Sequence, residues 1–199
     1  MKILIIGIGR SGTSSLIHGI SKQNYFEISE PYNSALIKQK YPLRDLERHS
    51  DIVVKTLSHQ KPRKYHGSWY NFILEFSKNF DKIIMLDRLD FDEHYESMIN
   101  LWWQVKNNQD IMAPWSSEEI PELFRTGYEL GGGKMRLHAE KTDFNQLAEK
   151  LKCKITWYEE LYGNDRQKSL HIIKEWKLNI NEHLLNDYLN PKYKIKKKC

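Results

Sequence analysis

From Gly7 to Ser15 the chain reads Gly-Ile-Gly-Arg-Ser-Gly-Thr-Ser-Ser. Glycines at 7, 9 and 12 let backbone N–H groups come close to a ligand. Ser11, Thr13, Ser14 and Ser15 add hydroxyl donors, and Arg10 adds a guanidinium. The natural complement of such a set is an oxyanion. The spacing from Gly7 to Gly12 fits the phosphate-loop template G-x-x-x-x-G-K-[ST], with one departure. Thr13 stands where the template has lysine, and the cation sits inside the loop at Arg10. The stretch therefore suits a phosphate, yet lacks the ammonium that reaches a nucleotide's terminal phosphates. Arg10 keeps its charge at any working pH, so it stabilises an anion but cannot be a general acid.

Such a loop needs a strand before it and a helix after it. The apolar run at 3–6 supplies the strand, and Leu16, Ile17 and Ile20 mark one side of a helix over 13–22. Four further short apolar runs, at 25–28, 51–55, 82–86 and 154–158, read as strands. Helical patterns lie at 69–79, 93–105, 118–130 and 144–151. Strands alternating with helices imply an α/β fold with a mainly parallel five-stranded sheet covered on both faces. In such sheets ligands sit at the carboxyl ends of the strands. Function should then cluster after residues 6, 28, 54, 86 and 158.

The whole of 1–199 reads as one domain, with a less regular, lid-like segment at 102–133 and a basic tail at 190–199. Trp102 and Trp103 are expected to fill the core, while Trp115 and Tyr128 are left open between core and lid. Lys plus Arg outnumber Asp plus Glu by 31 to 26, which suits an anionic ligand. The lysines are too scattered for a nucleic-acid surface, so no nucleic-acid partner is expected. Two cysteines, Cys153 in an expected strand and Cys199 at the end, do not make a disulfide framework. The histidines show no metal-ligand spacing with them, so no metal is expected. No apolar run reaches membrane-spanning length. The expected location is the cytoplasm.

Read at those strand ends, the residues resemble a family. Arg10-Ser11-Gly12-Thr13-Ser14-Ser15-Leu16 is similar to the 5′-phosphosulfate loop of sulfotransferases that use 3′-phosphoadenosine-5′-phosphosulfate (PAPS). Glu30-Pro31 resembles the acidic position of the tyrosylprotein and several carbohydrate sulfotransferases. Arg88 and Ser97 resemble the family's 3′-phosphate pair, with one residue more between them than usual. Tyr158-Glu159-Glu160-Leu161 looks like its Y-E-x-L, and 167–178 resembles its closing C-terminal helix. The likeness runs from about residue 2 to 178, and the loop, the Arg/Ser pair and the YEEL stretch together are its specific part. It implies a three-layer P-loop NTPase-like fold and metal-independent transfer of a sulfuryl group from PAPS, leaving 3′,5′-diphosphoadenosine. Gly9, Arg10, Ser11, Gly12, Thr13, Ser14, Ser15, Arg88, Ser97 and Tyr158 would hold that donor.

An acceptor hydroxyl or amine must lose a proton, so a base is needed within hydrogen-bond reach. Glu30 is the first choice. His59 is the rival, although the family's histidine follows a comparable lysine by two residues, where this chain has Leu57. Lys55 would touch the transferring sulfonate. The acceptor stays open among sugar, tyrosyl peptide, lipid and small metabolite, as do the oligomeric state and the part played by the lysine tail. Two other classes fit the loop: a nucleotide-dependent kinase with a degenerate loop, and a nucleotide-binding protein without chemistry.

Overall fold

The computed structural model describes residues 1–32, 44–107 and 120–189. Trp115, the first residues of the helix expected at 118, Cys199 and the 190–199 tail lie outside them. Five parallel strands form one sheet: β1 (Lys2–Gly7), β2 (Phe26–Ser29), β3 (Ile52–Leu57), β4 (Lys82–Asp87) and β5 (Ile155–Trp157). Their spatial order is β2-β3-β1-β4-β5. The apolar runs of β1, β3 and β4 become strands because both of their faces are covered. Leu4, Ile6, Val54 and Met85 point to one face, where α3 (Trp69–Phe76), α4 (Phe91–Lys106) and α6 (Gly133–Leu151) pack. Ile3, Ile5, Val53, Ile84 and Leu86 point to the other. There α1 (Thr13–Ser21), α7 (Tyr158–Leu161), α8 (Arg166–Glu175) and α9 (Glu182–Leu189) cover them. Two further helices, α2 (Arg44–Arg48) and α5 (Glu122–Leu130), and a 3₁₀ turn (Ser77–Asn79) complete the described elements.

The sheet order decides where a ligand crevice falls. β1 is followed by β2, which lies beyond β3. β3 is followed by β4, which lies on the far side of β1. The two connections leave in opposite directions, so the carboxyl ends of β1 and β3 lie where the strand order reverses, the usual place for a ligand in open α/β sheets. The Gly7–Ser11 turn and the residues after Leu57 meet there, in line with the register Gly7↔Leu57.

Several elements differ from the sequence pattern, each for a local reason. α6 begins at Gly133, eleven residues before the expected 144. The Gly131-Gly132-Gly133 run looks like a breaker, but Gly132 takes a left-handed φ of 80° and starts the helix as its N-cap. Gly133 itself is squeezed by the ring and carbonyl of Tyr128. α4 starts at Phe91 because the Asp90 carboxylate accepts the Glu93 N–H at 2.9 Å. α5 starts at Glu122 behind Pro121, later than 118. Tyr158 is the first residue of α7 rather than the end of a strand, and Cys153 precedes β5 rather than lying in it. Trp102 does not fill the core: it is 48% exposed. Trp103 is half-buried against Phe124, ring centroids 5.0 Å apart, and Tyr128 sits 5.8 Å from Tyr95. Among the described residues no helix is long and apolar enough to cross a membrane.

Phe144 is fully buried in the α3–α4–α6 face. Phe144→Ala should cost about 3–5 kcal/mol of stability through lost burial and a residual cavity. Urea denaturation followed by circular dichroism would measure it.

Candidate functional site

The turn between β1 and α1 turns its carbonyls to the protein. Gly7 O accepts the Ser58 N–H at 3.0 Å, and Ile8 O accepts the Ser11 N–H at 3.2 Å and its hydroxyl at 2.7 Å. Gly9 O meets His94 Nε2 at 2.6 Å. Arg10 O accepts from Arg88 Nε at 2.9 Å, and Gly12 O from the Tyr162 hydroxyl at 2.6 Å. The peptide bonds are trans, so each carbonyl is antiparallel to the N–H that follows it. Anchoring the carbonyls of Gly9 and Gly12 therefore points the N–H groups of Arg10 and Thr13 the other way. α1 adds to this. Its first-turn amides have no intrahelical acceptor, and its N-cap, Gly12, supplies no side-chain cap. The result is a cup of amide donors at the positive end of a helix, the arrangement that binds oxyanions.

The backbone here is one that few residues tolerate. Gly12 lies at φ 85°, and a Cβ on it would stand 2.7 Å from Tyr162 and 2.8 Å from Tyr158. A Cβ on Gly7 would stand 2.4 Å from the Thr13 methyl and 2.5 Å from Ser11 Oγ. Arg10 itself adopts φ 67°. This strained backbone is what packs the turn against α7 and its following residue.

Three cations surround the cup. Arg10 Nε donates to the buried Ser97 hydroxyl at 3.1 Å. The Arg88 guanidinium lies 4.2 Å over the Tyr158 ring, which stacks on Tyr162. Burial, and then the neighbouring Arg88 charge, pull the Arg10 pKa below the ordinary arginine value. An oxyanion placed among these groups would offset both effects. Lys55, 2% exposed, reaches Ser14 Oγ at 2.8 Å and Glu30 Oε1 at 2.6 Å. The other Glu30 oxygen accepts from Gln60 Nε2 at 3.0 Å. Pro31 keeps Glu30 out of the right-handed helical region, and its φ is 52°.

Most of the residues picked from the sequence thus sit together. Gly9 to Gly12 form the turn, and Thr13, Ser14 and the exposed Ser15 open α1. Arg88 and Ser97, expected to act as a pair, both end at Arg10, one on its carbonyl and one on its guanidinium. Lys55 and Glu30 form one unit. His59 stands apart: its side chain is 59% exposed, and Nδ1 lies 3.5 Å from Glu140 on α6.

Sequence reasoning missed His94, Tyr162, Gln60 and the pair Ser58–Glu140, whose hydroxyl donates to the carboxylate. One signal existed for His94: it is three residues before Ser97 and so shares its helix face. Tyr162 and Ser58 reach the turn, Gln60 reaches Glu30 and Glu140 reaches Ser58, from elements whose placement no local pattern encodes. Among the described residues no group of three or more His, Cys, Asp or Glu side chains is placed to hold a metal ion. Neither known protein families nor curated proteins show a match to the chain.

Two outcomes are expected. Gly12→Ala should destabilise the protein by about 1–3 kcal/mol through backbone strain, and lose anion binding with it. Thermal melts with and without ligand would show both. Burial pushes the Tyr162 phenol well above the ordinary tyrosine pKa. Its folded form is then the neutral one, so its stabilisation is complete below the unfolded pKa of about 10 and is lost as pH rises beyond it. Urea midpoints between pH 9 and 11 should fall with pH. Tyr162→Phe should reduce that slope by about one proton.

Proposed function

We propose that the chain is a PAPS-dependent sulfotransferase that moves a sulfuryl group to an acceptor hydroxyl or amine. One observation carries the reading: Arg88 and Ser97, from the end of β4 and from α4, converge on Arg10 in the β1–α1 turn. PAPS presents two anionic groups on one nucleoside, a 3′-phosphate and a 5′-phosphosulfate. A site for it needs guanidinium and hydroxyl donors beside an amide cup. It needs no lysine for a triphosphate, which fits Thr13 at the template's lysine position. The resemblance to P-loop NTPase-like sulfotransferases adds support from the strand-end motifs.

In this reading the turn grips the 5′-phosphate through the amides of Arg10 and Thr13 and the hydroxyls of α1. Arg88 and Ser97 lie toward the 3′-phosphate, and Tyr158 offers a ring face beside them. The acceptor oxygen attacks sulfur, and the bond from sulfur to the bridging phosphate oxygen breaks. Glu30 takes the acceptor's proton. 3′,5′-Diphosphoadenosine leaves with the electron pair on that oxygen, stabilised by Arg10 and Lys55. Stabilising charge where it develops is usually the largest catalytic contribution. Lys55 links the two halves, since its ammonium touches both the turn at Ser14 and the base at Glu30. Negative charge growing at the turn draws the ammonium away from Glu30 and frees that carboxylate for the proton.

Calorimetry should show 3′,5′-diphosphoadenosine binding without Mg²⁺, and AMP, which lacks the 3′-phosphate, binding at least about tenfold more weakly. Glu30→Gln should keep the diphosphoadenosine affinity within about threefold and lower turnover of labelled PAPS across an acceptor panel by about 10²- to 10⁴-fold. Preference for Mg²⁺–ATP would identify a kinase instead. Binding of PAPS with no turnover in the unaltered protein would identify a non-catalytic nucleotide binder.

A further inference from the structure

We infer that His94 is a positioning residue for the donor's phosphate. It acts through the Gly9 carbonyl on the amide of Arg10, and the inference rests on the oxyanion reading of the turn. His94 is fully buried on α4, and its Nε2 lies 2.6 Å from Gly9 O. A carbonyl only accepts, so Nε2 must carry the hydrogen. That hydrogen bond fixes the plane of the Gly9–Arg10 peptide, and with it the direction of the Arg10 N–H. The neighbouring peptides are held by donors that have other reasons to be there: the Ser58 amide by the register beside β1, Arg88 by its ring contact with Tyr158, and Tyr162 by its packing under Gly12. Only His94 among the described residues reaches Gly9 O with a side chain.

With its hydrogen on Nε2, the ring turns Nδ1 toward Asp87 Oδ1 at 3.4 Å, with no hydrogen bond between them. Asp87, 2% exposed, is anchored separately. Oδ1 accepts the Arg88 N–H at 2.7 Å, and Oδ2 accepts from Lys141 of α6 at 2.8 Å. Lys141 also donates to the Arg88 carbonyl. Asp87, tied to α6, thus lies beside the ring whose Nε2 ends on Gly9 O.

The test measures affinity for 3′,5′-diphosphoadenosine and for Mg²⁺–ATP by calorimetry in the full chain, for wild type, His94→Leu and His94→Gln. Leucine fills the space without a donor, and glutamine keeps an N–H able to reach the carbonyl. His94→Leu should bind about 10- to 100-fold more weakly, the worth of an oriented hydrogen bond to a charged group. His94→Gln should restore affinity to within about threefold of wild type. Nitrogen-resolved NMR of the wild-type imidazole should show the hydrogen on Nε2, with its resonance shifting when ligand is added. This readout stands even if His94→Leu does not fold.

Equal affinity in all three proteins, or an imidazole carrying its only hydrogen on Nδ1, would overturn the inference. So would folded Leu and Gln variants that are equally weak. If wild type ignores the diphosphoadenosine and takes Mg²⁺–ATP, the sulfotransferase reading fails while the same series, read on ATP, still decides His94. If wild type takes neither, the turn is not an oxyanion site and the inference falls with it.

Discussion

A loop that offers its N–H groups to a ligand must place its carbonyls somewhere. This constraint shapes the β1–α1 turn and much of what surrounds it. Each peptide carries one donor and one acceptor in opposite directions. A buried carbonyl without a partner costs about 1–3 kcal/mol. The protein meets that demand with donors from separate parts of the chain: the amide of Ser58 after β3, His94 on α4, Arg88 after β4 and Tyr162 after α7. None of these donors needs to touch an anion through the atom that it gives to the turn. They decide the cup's shape from behind, and the sheet brings them there because β1 is central, with β3 on one side and β4 on the other.

The same constraint explains which parts were legible in the amino-acid pattern. The strands were, because Ile and Val runs with both faces buried are continuous along the chain. Ile3 to Ile6 are all fully buried, as are Ile52 and Val53. The turn was legible too, since its glycine positions mark a tight strand–helix connection, with Gly12 at φ 85° and Arg10 at φ 67°. The donors behind it were not. A histidine inside a helix or a tyrosine after one carries no signature until tertiary structure brings it to a carbonyl. α6 shows the reverse failure. The helical pattern was expected only from 144, yet left-handed Gly132 opens the helix, and close packing of Gly133 against Tyr128 leaves no room for a side chain. Trp102 misled for a further reason: burial preference is a statistical tendency, and α4 turns that position outward.

Lys55 and Glu30 raise a question of energetics. An ammonium that is 2% exposed and a carboxylate 2.6 Å away form a pair whose desolvation cost, several kcal/mol per ion when buried, rivals its Coulombic gain. Stability alone is therefore a poor explanation for keeping it. Geometry is a better one. The lysine spans from β3 to Ser14 on α1, and Glu30 is tied back to β3 because its own N–H donates to the Lys55 carbonyl at 2.8 Å. Gln60 then holds the second carboxylate oxygen. Glu30 is thus restrained through its backbone, both of its oxygens and a left-handed φ of 52°.

That restraint bears on how the proposed chemistry divides between charge and proton. Burial, and then the neighbouring Arg88 charge, raise the cost of the Arg10 charge. On the proposed reading an arriving dianion offsets that cost. Lys55 differs because Glu30 already neutralises it. Its attraction for the ligand is small at first and grows only as charge accumulates on the leaving oxygen, since the ammonium must partly give up one anion to serve another. An interaction that strengthens along the reaction lowers the barrier, whereas one already complete in the bound state only tightens binding. On the proposed reading the two kinds of cation are therefore not interchangeable: the arginines hold the donor, and the paired lysine responds to its breakdown.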